Sequence, residues 1–147
     1  ASLVFEQTYE AIDGDSAKGF CLPVLGQDES GKLVAQVNYG STADTFLVAR
    51  AAALPVDQWS HVAMSWAPKD GVKIYVNGAL AAHTPPANAA QEQREGPATD
   101  VHLFFGGERA GHCWRGALPK GNWEGAIDEI RVHSYALSSD EVSELAR

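Results

Sequence analysis

Between Gly106 and Gly125 the chain reads GGERAGHCWRGALPKGNWEG, which gathers Arg109, His112, Trp114, Arg115, Asn122 and Trp123 in one connection. Rings beside hydrogen-bond donors are what a sugar site needs. The C–H faces of a pyranose stack on aromatic rings, and its hydroxyls take polar partners. A structural reading stands beside this one, with Trp123 in the core and Trp114 pinning the loop. Further on, WEGAIDEIRVH sets Asp128 and Glu129 inside an otherwise apolar run. DGDS at 13–16 places two carboxylates around a glycine, a pattern shared by calcium loops and polar turns, without the rest of an EF-hand loop. Cys21 and Cys113 have no metal-ligand spacing. They read either as a disulfide in an exported protein, stabilising by about 4–5 kcal/mol through a long closed loop, or as two unrelated buried thiols.

Other chemistries lack their residues. There is no Gly-x-Ser-x-Gly, no His-Glu-x-x-His and no phosphate-binding glycine loop. The five histidines are dispersed, as half-buried strand residues are. Catalysis by this chain alone is not expected. The net charge of −8, with eleven scattered Lys and Arg, argues against nucleic acid, which needs clustered cations. No apolar run approaches the roughly 20 residues of a membrane span. ASLVFEQTYE has neither the basic start nor the apolar stretch of a signal peptide.

A β framework must position these groups. The 147 residues suffice for one domain with a real core. LVFEQTYEA, GFCLPVLG, KLVAQVNYG, TFLVARA, WSHVAMSWA, VKIYVNG, ALAAH, VHLFFGG and GAIDEIRVH are short runs rich in Val, Phe, Tyr and Trp, mostly separated by Gly, Pro, Asn or Asp. About nine strands at this spacing predict an antiparallel sandwich or barrel. Val62, Met64 and Trp66 share one strand face, with Trp59, His61 and Ala63 on the other. Asn77-Gly78 between apolar runs predicts a type I′ hairpin. TPPANAAQEQREGPATD, 84–100, reads as a surface loop. At the C-terminus Ser138 and Glu141 form a capping box, stapled by Leu137 and Val142, for a short helix that packs on the sheet. Trp123, Gly125 and Ile127 share one parity while Ile130 and Val132 share the other, so a β-bulge is expected at Asp128-Glu129.

DQWSHVAMSW, GVKIYVNGAL, LFFGG and WEGAIDEIRVHSYALSSDEV, in that order, resemble the successive motifs of the laminin-G-like, concanavalin-A-like jelly roll of bacterial type. The resemblance is good over 57–145 and weaker over GFCLPVLGQDESGKLVAQV. It implies a single jelly-roll domain over 1–147 with two antiparallel sheets and a curved face, in an extracellular, periplasmic or cell-surface protein. It also implies a structural calcium ion, with Asp128 as ligand. Jelly-roll glycosidases carry Glu-x-Asp-x-x-Glu on one strand, and Glu124, Asp128 and Glu129 do not have that spacing. The expected function is non-catalytic binding of a glycan or a protein surface, with an accessory domain or subunit of a larger secreted enzyme or envelope complex as the alternative. Members usually begin with one or two more strands than precede residue 11. Residues 1–11 are therefore expected at a sheet edge, open to a partner chain or a second copy.

Overall fold

The computed structural model describes residues 2–8, 21–38, 46–86, 101–106, 116–119 and 122–147. Along them run β1 (Ser2–Thr8), β2 (Cys21–Gln27), β3 (Lys32–Asn38), β4 (Phe46–Ala53), β5 (Val62–Ala67), β6 (Gly71–Val76), β7 (Ala79–Thr84), β8 (Val101–Phe105) and a helix, α1 (Ser139–Leu145). The larger sheet has the order β4-β3-β2-β1-β8 and the smaller β5-β6-β7. Every pairing is antiparallel. The chain is an all-β sandwich of jelly-roll type with a short C-terminal helix.

Period 2 builds the core. Leu25, Leu33, Ala35, Leu47, Ala49 and Ala51 from the larger sheet meet Val72 and Ile74 from the smaller, and Val37, Val62, Met64, Val76 and Ala82 pack around them. Odd positions of β3 and β4 thus face even positions of β5 and β6, the alternation that a pleated strand imposes. On one flank the two sheets are tied directly: Thr84 Oγ1, in β7, donates to the Val48 carbonyl of β4 at 2.6 Å. On the other flank β8 and β5 are sheet edges, and residues 122–137 pass between them. Trp123 N–H donates to the Gly106 carbonyl beyond β8, and Ser65 Oγ in β5 donates to the Leu137 carbonyl at 3.3 Å.

The outer faces are covered by segments that are not strands. Val34 and Gln36 point away from the core yet are fully buried, and over Gln36 lie residues 116–117: Ala117 N–H donates to Gln36 Oε1 at 2.7 Å, and a Cβ on Gly116 would meet the same amide. Tyr75 is likewise fully buried on the outer face of β6, its hydroxyl 3.2 Å from Ser139 Oγ in α1. The helix begins as the sequence dictates. Ser138 Oγ accepts from Glu141 N–H, Glu141 accepts from Ser138 N–H, and Val142 is fully buried. The hairpin also forms as read, with Asn77 at φ 51° and Gly78 at φ 79°. A Cβ on Gly78 would meet Ser143 Cα and Ala146 Cβ at 3.2 Å, so the glycine serves both the turn and the docking of α1.

Two expectations are corrected. Residues 125–133 are not a ninth strand: Glu129 has a left-handed φ of 52°, and Ile130 and Val132 are 49% and 68% exposed. The break falls where the hydrophobic phase slips. A left-handed residue turns the following amide off the strand line, so what the sequence suggests as a bulge is a full interruption. Nor is the N-terminal strand at an edge. β1 lies between β2 and β8, with Phe5 opposite Pro23 on one side and Phe104 on the other. The antiparallel return of β8 takes up the N–H and C=O groups that would otherwise be open to a partner.

Candidate functional site

Asp28, Glu29, Ser30 and Gly31 connect β2 to β3 in a tight loop. Gly31 N–H donates to the Asp28 carbonyl at 2.9 Å, Gly31 sits at φ 79°, and Asp28 N–H closes onto the Lys32 carbonyl at 3.0 Å. This is a type I turn followed by a left-handed glycine, for which Asp first and Gly fourth are the favoured residues. Asp28 Oδ1 accepts from Ser30 N–H at 2.9 Å, Ser30 Oγ at 2.7 Å and Lys32 N–H at 3.1 Å. The Ser30 hydroxyl, with help from these backbone donors and the Lys32 charge, holds the Asp28 carboxyl below its usual range. Its second oxygen takes part in none of these bonds.

The facing wall is Gly116–Pro119. Gly116, at φ 88°, comes so close to the Gln36 amide that a Cβ there would overlap it. Leu118 is buried, anchoring the wall from below. Asp28, Glu29, Ser30, Gly116, Ala117, Leu118 and Pro119 line a shallow cleft of about 490 Å³. One wall is braced by its own turn and the other by a buried amide, so the cleft is shaped before any ligand arrives. Its chemistry is that of recognition. A carboxylate held ionised accepts hydrogen bonds strongly and is a poor general acid at neutral pH.

The sequence points at the connection that supplies one wall but not at the residues that line it. Arg109, His112, Trp114, Arg115 and Cys113 lie outside the described residues, as do Asp13 and Asp15 of DGDS and the loop from residue 87 to 100. Cys21 opens β2, paired in register with Gln7. Asn122 is exposed, and Trp123 is half-buried with its Nε1 buried and without a hydrogen-bond partner among the described residues. Asp128 is exposed, and its Oδ1 accepts from Glu129 N–H at 2.8 Å. Arg131 occupies Glu129 Oε2 at 3.2 Å. Among the described residues no three of His, Cys, Asp and Glu are grouped to hold a metal ion. No described helix is long and apolar enough to cross a membrane. The turn that lines the cleft carries the loop signature D-x-S-G, but nothing in that signature tells that it faces residues 116–119.

Comparison with known proteins bears on the whole chain. The laminin G family described as "Concanavalin A-like lectin/glucanases superfamily" matches residues 4–143. Adhesion G-protein coupled receptor D1 from Homo sapiens is 31% identical over 90 residues, which cover 60% of this chain and 9% of the receptor. A solved S-layer domain-containing protein from Clostridium thermocellum ATCC 27405 is similar with a TM-score of 0.44 at 21% identity, over 92% of this chain and 59% of the other. The chain thus spans a small fraction of the receptor and under two thirds of the bacterial chain.

Proposed function

The chain belongs to the concanavalin A-like lectin/glucanases superfamily, and from that membership we propose that it is a non-catalytic module that binds carbohydrate in the cleft between Asp28–Ser30 and Gly116–Pro119. Domains of this kind are commonly binding modules. The observation that carries the reading is the preformed cleft: a buried Gln36 fixes one wall and a carboxylate-centred turn the other. Shallow clefts with one polar and one largely apolar wall suit sugars, whose hydroxyls donate to carboxylates and exchange bonds with a serine hydroxyl, and preorganised walls lose little entropy on binding. The paired acids of a jelly-roll glycosidase are absent from the sequence. The same reading places the module outside the cell, where a bond between Cys21 and Cys113 would persist.

A glycan array on the purified chain tests this, with Glu29→Ala as the informative variant. Glu29 is exposed and lines the cleft, so its loss should leave the melting temperature unchanged while weakening glycan binding about tenfold. An array without hits, or a Glu29→Ala protein that binds as tightly as the parent, would overturn the proposal.

A further inference from the structure

Asn77-Gly78 is the sole Asn-Gly pair in the chain, and in water such a pair carries a slow reaction of its own. The Gly78 nitrogen can attack Asn77 Cγ, because the glycine has no side chain to hinder the approach. A C–N bond forms, and the side-chain nitrogen leaves as ammonia with the proton that Gly78 gives up. The cyclic imide then takes up water across one of its two C–N bonds. Opening at the side-chain carbonyl leaves an aspartyl peptide. Opening at the backbone carbonyl leaves an isoaspartyl one, in which the main chain runs through the former side chain. Asn77 is exposed, so burial does not keep water from it.

Geometry protects it instead. With φ 51° at Asn77 and φ 79° at Gly78, the pair forms the I′ turn between β6 and β7. As the mirror image of type I, that turn sets ψ of its first central residue to about +30°. There the Gly78 nitrogen lies nearly anti to Asn77 Cβ, whereas ring closure needs the two nearly eclipsed, so the turn must be unmade first. Two bonds oppose that rotation: His61 N–H donates to Asn77 Oδ1 at 2.9 Å, and Asn77 N–H donates to the His61 carbonyl at 2.8 Å. The first holds the side-chain amide toward β5, and the second holds the main chain in the ladder. The helix adds a cover. Ser143 Cα and Ala146 Cβ lie where a Cβ on Gly78 would meet them at 3.2 Å, and buried Val142 anchors that end of α1.

We propose that Asn77 is a deamidation site gated by the fold, sealed while the hairpin and α1 are in place and reactive once they open. The loss is one-way. An isoaspartyl link adds a main-chain atom to a two-residue turn whose length sets the pairing of β6 with β7, and it takes the amide acceptor from His61 N–H. A chain modified while open thereby loses the hairpin that would have sealed it.

The intact chain is incubated in mildly alkaline buffer below its melting temperature, beside the same chain in urea. Peptide mass spectrometry follows Asn77, and isoaspartyl methyltransferase labelling separates the two products. The folded chain should deamidate there at least about a hundredfold more slowly than the unfolded one, since reaction waits for local opening. Val142→Ala loosens α1 and should react at a rate between the two; Ser138→Ala, which removes the helix cap, takes its place if that variant does not fold. On removal of urea the aspartyl chains should refold, and the isoaspartyl chains should remain in the unfolded or aggregated fraction. A folded chain that deamidates within a few-fold of the unfolded rate overturns the proposal. A loosened helix that leaves the rate at the parent's overturns the part given to α1, and isoaspartyl chains that refold to the parent's stability overturn the one-way loss.

Discussion

Gln36 shows how one side chain can hold a site. Along KLVAQVN it faces away from the core, where a strand residue ordinarily meets solvent, yet it is fully buried with its amide oxygen accepting from Ala117 N–H. Removing the acceptor by Gln36→Leu leaves the partly buried Ala117 N–H without this partner, which should destabilise by about 1–2 kcal/mol. The denaturant midpoint reads this directly, and a midpoint equal to the parent's would show that water replaces the bond. Gly116→Ala should act on the same contact from the other side, through its positive φ and its closeness to the amide. The sequence could not reveal this pair. Its partners are 81 positions apart, and periodicity reports which face a residue takes, not what covers that face.

Elements whose instructions are local were the legible ones. Asn77-Gly78 makes the predicted turn, and the Ser138/Glu141 box starts the predicted helix, because each depends on residues within four positions. The Asn77 turn also does something its motif does not announce. The ladder between β5 and β6 pairs Val62 with Val76, and the next rung would join His61 to Asn77. With φ at 51° the Asn77 side-chain carbonyl accepts from His61 N–H while its own N–H donates as a ladder residue would. Asn77→Ala should therefore cost about 1–2 kcal/mol, from the lost acceptor and from a residue less tolerant of positive φ. Asn77→Asp keeps an oxygen there and should cost clearly less in thermal unfolding; equal losses would refute the role of the side-chain oxygen. The stretch 125–133 misled for the opposite reason. Its composition is that of a strand, but a strand exists only where a neighbour pairs with it, and Glu129 turns the chain away at the phase slip.

At the scale of the molecule the sandwich is asymmetric. One flank is tied from β7 to β4, and the other is spanned by a segment that holds a single bridge, at Asn122, but no strand among the described residues, and that leaves Ile130, Val132 and Tyr135 exposed. The class of fold was legible because alternation fixes two-faced strands; the strand order was not, since many orders bury the same faces. That order has a consequence in time. The smaller sheet is assembled entirely from residues 62–84, whereas β1 must wait for β8, pairing Val4 with Phe105 and Thr8 with Val101. Loop-closure entropy and contact order make that last pairing the slow one. Pulse-labelled amide exchange during refolding should find β6 protected before β1, and simultaneous protection would count against this order. A ribosome adding about 5–20 residues per second would hold the outer edge of β1 unpaired for roughly 5–20 seconds before β8 appears. Throughout that interval the nascent chain carries an open strand edge that the finished protein no longer has.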